Sequence, residues 1–453
     1  MKYYFSKVRF FMTKDLTKGN ETKAIISFAI PLIVGNIFQQ FYNVADSIIV
    51  GKYIGSSALA AVGSSFTIIV FLTSIILGLC MGASVVFSQY FGAKDESNLK
   101  SSIFTAFIFI GVITVIINLF ASIFADNILN FMNTPKVLFD DAKEYIIIIF
   151  YGIGFTFIYN YFCCLLRSMG NSFIPLLFLI IAAIINIVLD IVFITVFNLG
   201  IAGAAYATII AQGISGIATA IYCFIKLPVI RFKKSDFKID ISILKLVMNY
   251  SVLASIQQSI MNFGILLIQG LVNSFGVSIM AAFAAAVKID SFAYMPVQDF
   301  GNAFSTYVAQ NRGAGEVERI KTGVKSSFKI ITLFCIVISA IVVLFSKELM
   351  TIFISPSEVE IINYGSQYLC IVSVFYFLIG YLFMLYGFYR GIGSANISIL
   401  LTVISLGLRV GLAYLLAPTL GVTAIWWAIP IGWLIANIIG ISFMKKFIKK
   451  LNI

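Results

Sequence analysis

The stretch PLIVGNIFQQFYNVADSIIVG, residues 31–51, reads as a membrane-crossing helix with a polar stripe down one side. Its apolar content and length fit the roughly 20 residues that span a bilayer core. Asn36, Gln39, Gln40, Asn43, Asp46 and Ser47 recur at steps of three and four, which places them on one face. A polar side chain in hydrocarbon is costly and faces a cavity or a partner. Such a stripe can simply glue helices together, but glue rarely needs an acid, so Asp46 points to function. Pro31 removes a helix hydrogen bond. It reads as a hinge, or as a proline near enough to the helix start to be harmless.

Runs of this kind fill the chain. Of 453 residues, 60% are hydrophobic and 11% charged, against roughly 25% charged in soluble domains. The mean hydropathy of +1.03 is that of an integral membrane protein. Twelve spans are read at 25–50, 57–91, 101–126, 140–167, 173–197, 202–226, 244–274, 278–311, 322–346, 362–390, 395–418 and 421–446. The fold class is therefore an all-α polytopic membrane protein. Little sequence is left for a soluble domain, and continuous apolar runs disagree with the alternation of a membrane β-barrel.

With both termini inside, 25 of the 31 lysines and arginines fall on the cytoplasmic side and four outside. This positive-inside bias places the chain in the cytoplasmic (inner) membrane with both ends cytoplasmic. It also explains the net charge of +12 without a nucleic-acid partner. The longest connection, 227–243, follows the sixth span and divides the chain into two six-helix lobes. The expected order is an N-terminal tail (1–24), a first lobe (25–226), a linker (227–243), a second lobe (244–446) and a C-terminal tail (447–453).

An internal repeat supports the two lobes. Ser57-Ala-Leu-Ala-Ala-Val-Gly63 resembles Ser278-Ile-Met-Ala-Ala-Phe-Ala284, and Phe91-Gly-Ala-Lys-Asp-Glu96 resembles Arg312-Gly-Ala-Gly-Glu316. Arg167-Ser-Met-Gly170 pairs with Arg390-Gly-Ile-Gly393, and Leu199-Gly-Ile-Ala-Gly-Ala204 with Leu420-Gly-Val-Thr-Ala424. The offsets stay between 220 and 223. Six spans per copy is even, so the repeat is parallel, as in two-lobe transporters.

Further polar residues stand inside spans. Asn186 and Asp190 lie four apart in an otherwise apolar fifth span, and Thr208 lies on a small-residue face of the sixth. An isolated intramembrane aspartate is a functional candidate by default, whereas the Thr208 hydroxyl can equally bond back to its own helix. Span 7 carries Ser255, Gln258, Asn262, Gln269 and Asn273 on one face, with no acid. Span 8 carries Lys288, Ser291, Asp299, Asn302 and Thr306, with Asp290 pointing elsewhere. Arg409 of span 11 falls where the repeat places Asn186. Lys288, Asp290, Asp299 and Arg409 either form neutralising pairs or take part in transport.

No catalytic constellation appears, so the chain does not read as an enzyme. It has no histidine, its six cysteines lie in or beside apolar runs, and it has no Walker loop. Transport energy must then come from an ion gradient, a partner or the substrate, and no cofactor is expected. Asp46 and Asp190, close together in a low-dielectric pocket, cannot both ionise cheaply and should act as a unit.

These residues resemble the multidrug and toxic compound extrusion (MATE) family. The resemblance rests on Pro31…Gln39…Asp46-Ser-Ile-Ile-Val-Gly51, Ala58-Leu-Ala-Ala-Val-Gly63, Phe91-Gly-Ala-Lys94, Asn186-Ile-Val-Leu-Asp190 and Gln310-Asn-Arg-Gly-Ala-Gly315, and runs from about residue 15 to 447. It implies a V-shaped pair of six-helix bundles with a central cavity. It also implies export of amphiphilic or cationic organic compounds by antiport with H⁺ or Na⁺. The family's amino-lobe ion site matches Asp46, Asp190, Asn186 and Thr208, and its helix 8 base matches Lys288. Spans 7 and 10 lack the internal acids of one branch, so ion coupling is expected in the first lobe. The substrate face is expected at Gln39, Gln40, Asn43, Gln258, Asn262, Lys288 and Asp299, and a monomer is expected. A related two-lobe fold flips lipid-linked saccharides. That alternative would rely on the cations Lys288 and Arg409 rather than on the aspartates.

Overall fold

In lipid every backbone N–H and C=O must be satisfied within the chain, so apolar runs of this length can only be helices. The computed structural model describes residues 14–132, 134–231 and 238–450. The first lobe's spans lie on α1 (Glu21–Tyr53), α2 (Ser56–Gly92), α3 (Glu96–Ile123), a short α4 (Ala125–Phe131), α5 (Lys136–Tyr151), α6 (Ile153–Ser168), α7 (Phe173–Ile191) and α8 (Gly200–Lys226). The second lobe follows as α9 (Ile241–Asn273), α10 (Val277–Gly313), α11 (Val317–Leu344), a short α12 (Ser346–Thr351), α13 (Val359–Ser373), α14 (Tyr376–Gly391), α15 (Ala395–Leu420) and α16 (Val422–Lys450). Among the described residues, ten helices are long and apolar enough to cross a membrane unbroken. The pairs α5–α6 and α13–α14, bent by 47° and 54°, complete the twelve spans.

Spans 4 and 10 therefore differ from the single helices expected. Span 4 turns at Gly152, where a Cβ would lie 2.2 Å from Cγ2 of Ile209 on α8. Close approach of α8 leaves room only for glycine there. Span 10 turns at Val374 and Phe375, 222 to 223 residues later.

The repeat is written into the backbone. Left-handed φ angles occur at Gly55 and Gly276, at Lys94 and Gly315, at Gly170 and Gly393, and at Gly200 and Gly421. Each pair is separated by 221 or 223 residues, so the same turns close the same helices twice. Three of the pairs are glycine in both copies, the residue that takes positive φ without a Cβ clash. Lys94 accepts the strained conformation (φ 58°) next to Asp95, whose side chain caps α3 by accepting from the Asn98 N–H at 3.1 Å.

By contact, the described residues form two units: residues 34–255 with Lys14 and Asp15, and residues 256–450 with Leu16–Ile33. This is not the division at 226 and 244 read from the sequence. The leading part of α1 belongs with the second unit and the leading part of α9 with the first. The reason is apolar burial. Ile25, Phe28 and Ala29 are at most 1% exposed in the second core, whereas Ile243 and Val247 are buried in the first.

The residues just before α1, expected as a cytoplasmic tail, are tied to the second unit. Leu16 is fully buried, its N–H donates to Gln310 Oε1, and its carbonyl accepts from Asn311 and Arg319. Arg319 also bonds the Gly19 carbonyl and pairs with Glu21 at 3.2 Å. The first 13 residues of the expected tail and linker residues 232–237 lie outside the described residues.

Within the first unit, α2 and α9 cross backbone to backbone. A Cβ on Gly82 would stand 2.3 Å from the Tyr250 carbonyl oxygen and 2.4 Å from Cα of Ser251. The Ser251 hydroxyl donates to the Leu79 carbonyl at 2.9 Å across the same crossing. Gly82→Ala should therefore cost the upper end of the ~1–3 kcal/mol typical of overpacking, read as a fall of several degrees in Tm of the purified protein in detergent. Gly63→Ala, whose Cβ meets nothing within 4 Å, should leave Tm unchanged.

Candidate functional site

The first unit brings Asp46, Asn186, Asp190 and Thr208 together from three helices. α7 is apolar throughout except for Asn186 and Asp190, and one helical turn aligns the two. They are 1% and 0% exposed. Gly35 lets α1 lie against Leu176 and Leu179 of α7. Just beyond Asp190 the helix loosens into a π turn at Val192–Val196, a distortion often found at functional sites.

The hydrogen bonding of the pocket is one-sided. Asn186 Nδ2 donates to Thr208 Oγ1 at 3.3 Å, which fixes the amide and turns its oxygen inward. That oxygen, Asn186 Oδ1, is buried with no donor, as are Asp46 Oδ1 and both oxygens of Asp190. The Asp46 and Asp190 carboxyls lie within hydrogen-bond reach of each other. Neither carboxylate can donate, so the contact closes only through a shared proton or a cation. Buried acceptors normally have partners. Four without one, drawn from three side chains, make this an acceptor-only pocket.

Two further residues of this pocket escaped the sequence reading. Tyr42 lies beside Thr208 and within electrostatic reach of both aspartates. Tyr145 of α5, 6% exposed, also reaches both. Tyr42 precedes Asp46 by one turn, so its place on the polar stripe was a readable signal. Tyr145 had no such signal, since only the packing of α5 brings it in.

The residues expected to face substrate are distributed over both units. On α1, Gln39 is exposed and Gln40 and Asn43 are half-buried. On α9, Gln258 and Asn262 are half-buried, while the neighbouring Gln257 is 2% exposed and bonds Thr402 at 3.1 Å. Lys288 is exposed over the Phe353 ring at 5.8 Å and has no carboxylate within 4 Å among the described residues. Asp299 is 6% exposed and about 16 Å further along α10, so these two are not a pair. Asp290 instead accepts from the Tyr368 hydroxyl at 3.2 Å. Pro31 lies inside α1, two residues before the change of unit between Ile33 and Val34.

Comparison with known proteins places the chain in a family. The MatE family model matches residues 31–192 and 251–415. The Probable multidrug resistance protein YpnP of Bacillus subtilis (strain 168) is 31% identical over 395 residues, 86% of this chain and 87% of its own. The Probable multidrug resistance protein YoeA of the same organism is 26% identical, with 98% and 97% covered. The crystal structure of a MATE protein in the bent conformation superposes with a TM-score of 0.91 at 26% identity, covering 97% of this chain and 99% of that one. The straight conformation gives 0.86 at 25% identity, with 96% and 98% covered. With its twelve spans, its doubled turns and a match to most of its length, the chain belongs to the MatE family of membrane transporters.

Proposed function

We propose that this protein exports amphiphilic and cationic organic compounds by antiport against H⁺ or Na⁺, cycling through alternating access. Drug export is supported by the relatives named as multidrug resistance and multidrug export proteins. The ion site is carried by one observation: four donorless buried oxygens of Asp46, Asn186 and Asp190 that converge in one pocket. Two like charges in low dielectric repel. A proton or sodium ion arriving from outside removes that repulsion and completes the acceptor set. Tyr42 and Thr208 hold the rim of the seat.

The ion is tied to transport through α1. Asp46 lies on the same helix as Pro31, and the helix lacks a hydrogen bond at Pro31. Loading the pocket draws Asp46 toward Asp190 and changes the bend at Pro31, and the substrate is released outward. The loaded ion then permits the return to the inward-facing state. The polar faces formed by Gln39, Gln40 and Asn43, by Gln258 and Asn262, and by Lys288 and Asp299 are the surfaces we assign to the substrate. We place the protein in the cytoplasmic membrane as a monomer with both termini inside, following the charge bias of its connections.

Efflux of a fluorescent organic cation from proteoliposomes, with ΔpH and ΔpNa imposed separately, tests the reading. One gradient should drive wild-type efflux. Asp46→Asn and Asp190→Asn should each lower the driven rate at least tenfold while inserting normally. Full gradient-driven efflux in both variants would sink the assignment.

The same pocket predicts a gain in stability at the expense of function. In Asp190→Asn, one charge is gone and the new amide can donate to Asp46 Oδ1. An unsatisfied buried acceptor costs about 1–3 kcal/mol, so Tm in sodium-free buffer at pH 8 should rise by a few degrees. A lower Tm would mean that the pair holds the fold together instead of straining it.

A further inference from the structure

In the first unit, the lipid-facing stripes of α8 and α9 both reach cations at the connection that joins the two helices. On α8, Ile214, Ile217, Ile221 and Phe224 recur at helical steps and are 45% to 52% exposed. Apolar side chains left exposed on a membrane-crossing helix face acyl chains. The helix ends at Lys226, one residue of a turn beyond this stripe and itself exposed. α9 begins in the same way. Ile243 and Val247 are buried in the core, whereas Ile241, Met248 and Val252 are exposed on the other face, and Lys245 stands among them. A lysine in such a stripe lays its methylenes along the acyl chains and lifts its ammonium to the headgroups. The end of α8 and the start of α9 therefore lie at headgroup depth.

The connection supplies two more cations at this level. Leu227 and Ile230 are 9% and 3% exposed, and the single turn Pro228–Ile230 packs against α3 and α8, so Arg231 is held at the surface directly after it. Lys238 is exposed two residues before Asp240. Tyr90, at the end of α2, lies within electrostatic reach of Asp240 and of Asp95, which draws the start of α9 to the same corner. Lys226, Arg231, Lys238 and Lys245 are all exposed, and none has a carboxylate within 4 Å among the described residues. Asp240, the acid among them, turns its Oδ1 to the N–H groups of Ser242 and Ile243 at 2.7 and 3.1 Å, where it caps α9. The neighbouring α2–α3 turn, by contrast, balances Lys94 and Lys100 with Asp95 and Glu96. Four cations beside one engaged acid, at headgroup depth, attract phosphate groups.

We propose that this corner of the first unit binds an anionic phospholipid, its phosphate among Lys226, Arg231, Lys238 and Lys245 and its acyl chains along α8 and α9. The occupant is a lipid, not a soluble anion, because the cations are continuous with two acyl-facing stripes. A zwitterionic headgroup cancels its own phosphate charge, so the surface selects lipids of net negative charge. The leaflet is the cytoplasmic one on the orientation proposed above. The site itself depends neither on that orientation nor on the transport reading.

The test is thermal unfolding of the purified protein in detergent, titrated with phosphatidylglycerol or with phosphatidylcholine of the same acyl chains. Micelles have no sides and no gradient, and a ligand of the folded state raises Tm. Phosphatidylglycerol should raise Tm saturably and at lower concentration than phosphatidylcholine, and added NaCl should shrink the difference. Changing the four cations together (Lys226→Gln, Arg231→Gln, Lys238→Gln, Lys245→Gln) should move the phosphatidylglycerol midpoint up about tenfold or more and leave phosphatidylcholine unchanged. The pair Lys226→Gln with Lys245→Gln should give an intermediate shift, and it serves should the fourfold variant fail to fold. Lys445, Lys446 and Lys449, exposed at the end of α16, provide the control: their change to glutamine should leave the midpoint within about twofold. An equal shift in that control would reduce the effect to diffuse charge and overturn the site. No preference for phosphatidylglycerol in the wild type, no shift in the fourfold variant, or the same rise in Tm from inorganic phosphate alone would overturn it as well.

Discussion

Asp46 and Asp190 face each other inside a helical unit, and neither has a donor to offer the other. That single contact sets the terms for the rest of the first unit. Isolated buried charges are far more costly than buried amides or hydroxyls, so the pair persists only because the frame around it cannot relax. The frame is rigid for identifiable reasons. α2 and α9 cross at Gly82 with no room for a methyl group. The Tyr161 hydroxyl donates to the Ile103 carbonyl, joining α6 to α3. Its ring also packs with Phe87, Phe107, Phe157 and Phe162. A frame of this stiffness keeps the two carboxyls close together.

The duplication has kept geometry and released chemistry. Four positions of positive φ recur at offsets of 221 or 223, and both copies break their fourth span. Backbone turns of this kind tolerate few residue types, and their loss would cost the fold. Interior polar groups obey a looser rule: each needs a partner, but which partner is free. The first copy therefore holds an acceptor set around Asp190, and the second sets Arg409 beside Asp290, Tyr294 and Tyr368. Different polar groups in equivalent places are what two diverging copies of one frame permit.

Much of this was legible in the sequence, for reasons specific to lipid. A span must be long and apolar, so the number of crossings could be read directly from the chain, and a carboxylate in such a run stands out because it is costly. Asp46, Asn186, Asp190 and Thr208 were found in this way and do converge. The break at Gly152 was not legible, because the close approach of Ile209 from another helix shows only in the packing. Tyr145 was missed because a tyrosine in an apolar helix is ordinary until packing aims it. The exchange of leading segments by α1 and α9 was equally hidden. Hydropathy reports that a residue is buried and carries no information about which neighbours bury it.

That exchange gives α1 its mechanical position. Its residues up to Ile33 are buried with the second unit and those from Val34 onward belong to the first. α9 changes unit in the same manner between Ser255 and Ile256, but without a proline. Its crossing with α2 is pinned by the Ser251–Leu79 hydrogen bond. Of the two shared helices, α1 is thus the one with a weakened ladder, and Pro31 puts the weakness beside the change of unit. Asp46 lies about 20 Å beyond Ile33 along an uninterrupted helix. Between Asp46 and Pro31 the helix has no other proline, so bending is cheapest at Pro31. On the proposed mechanism, coupling between ion and fold needs no chain of side-chain contacts, because one helix carries the charged residue and the proline together.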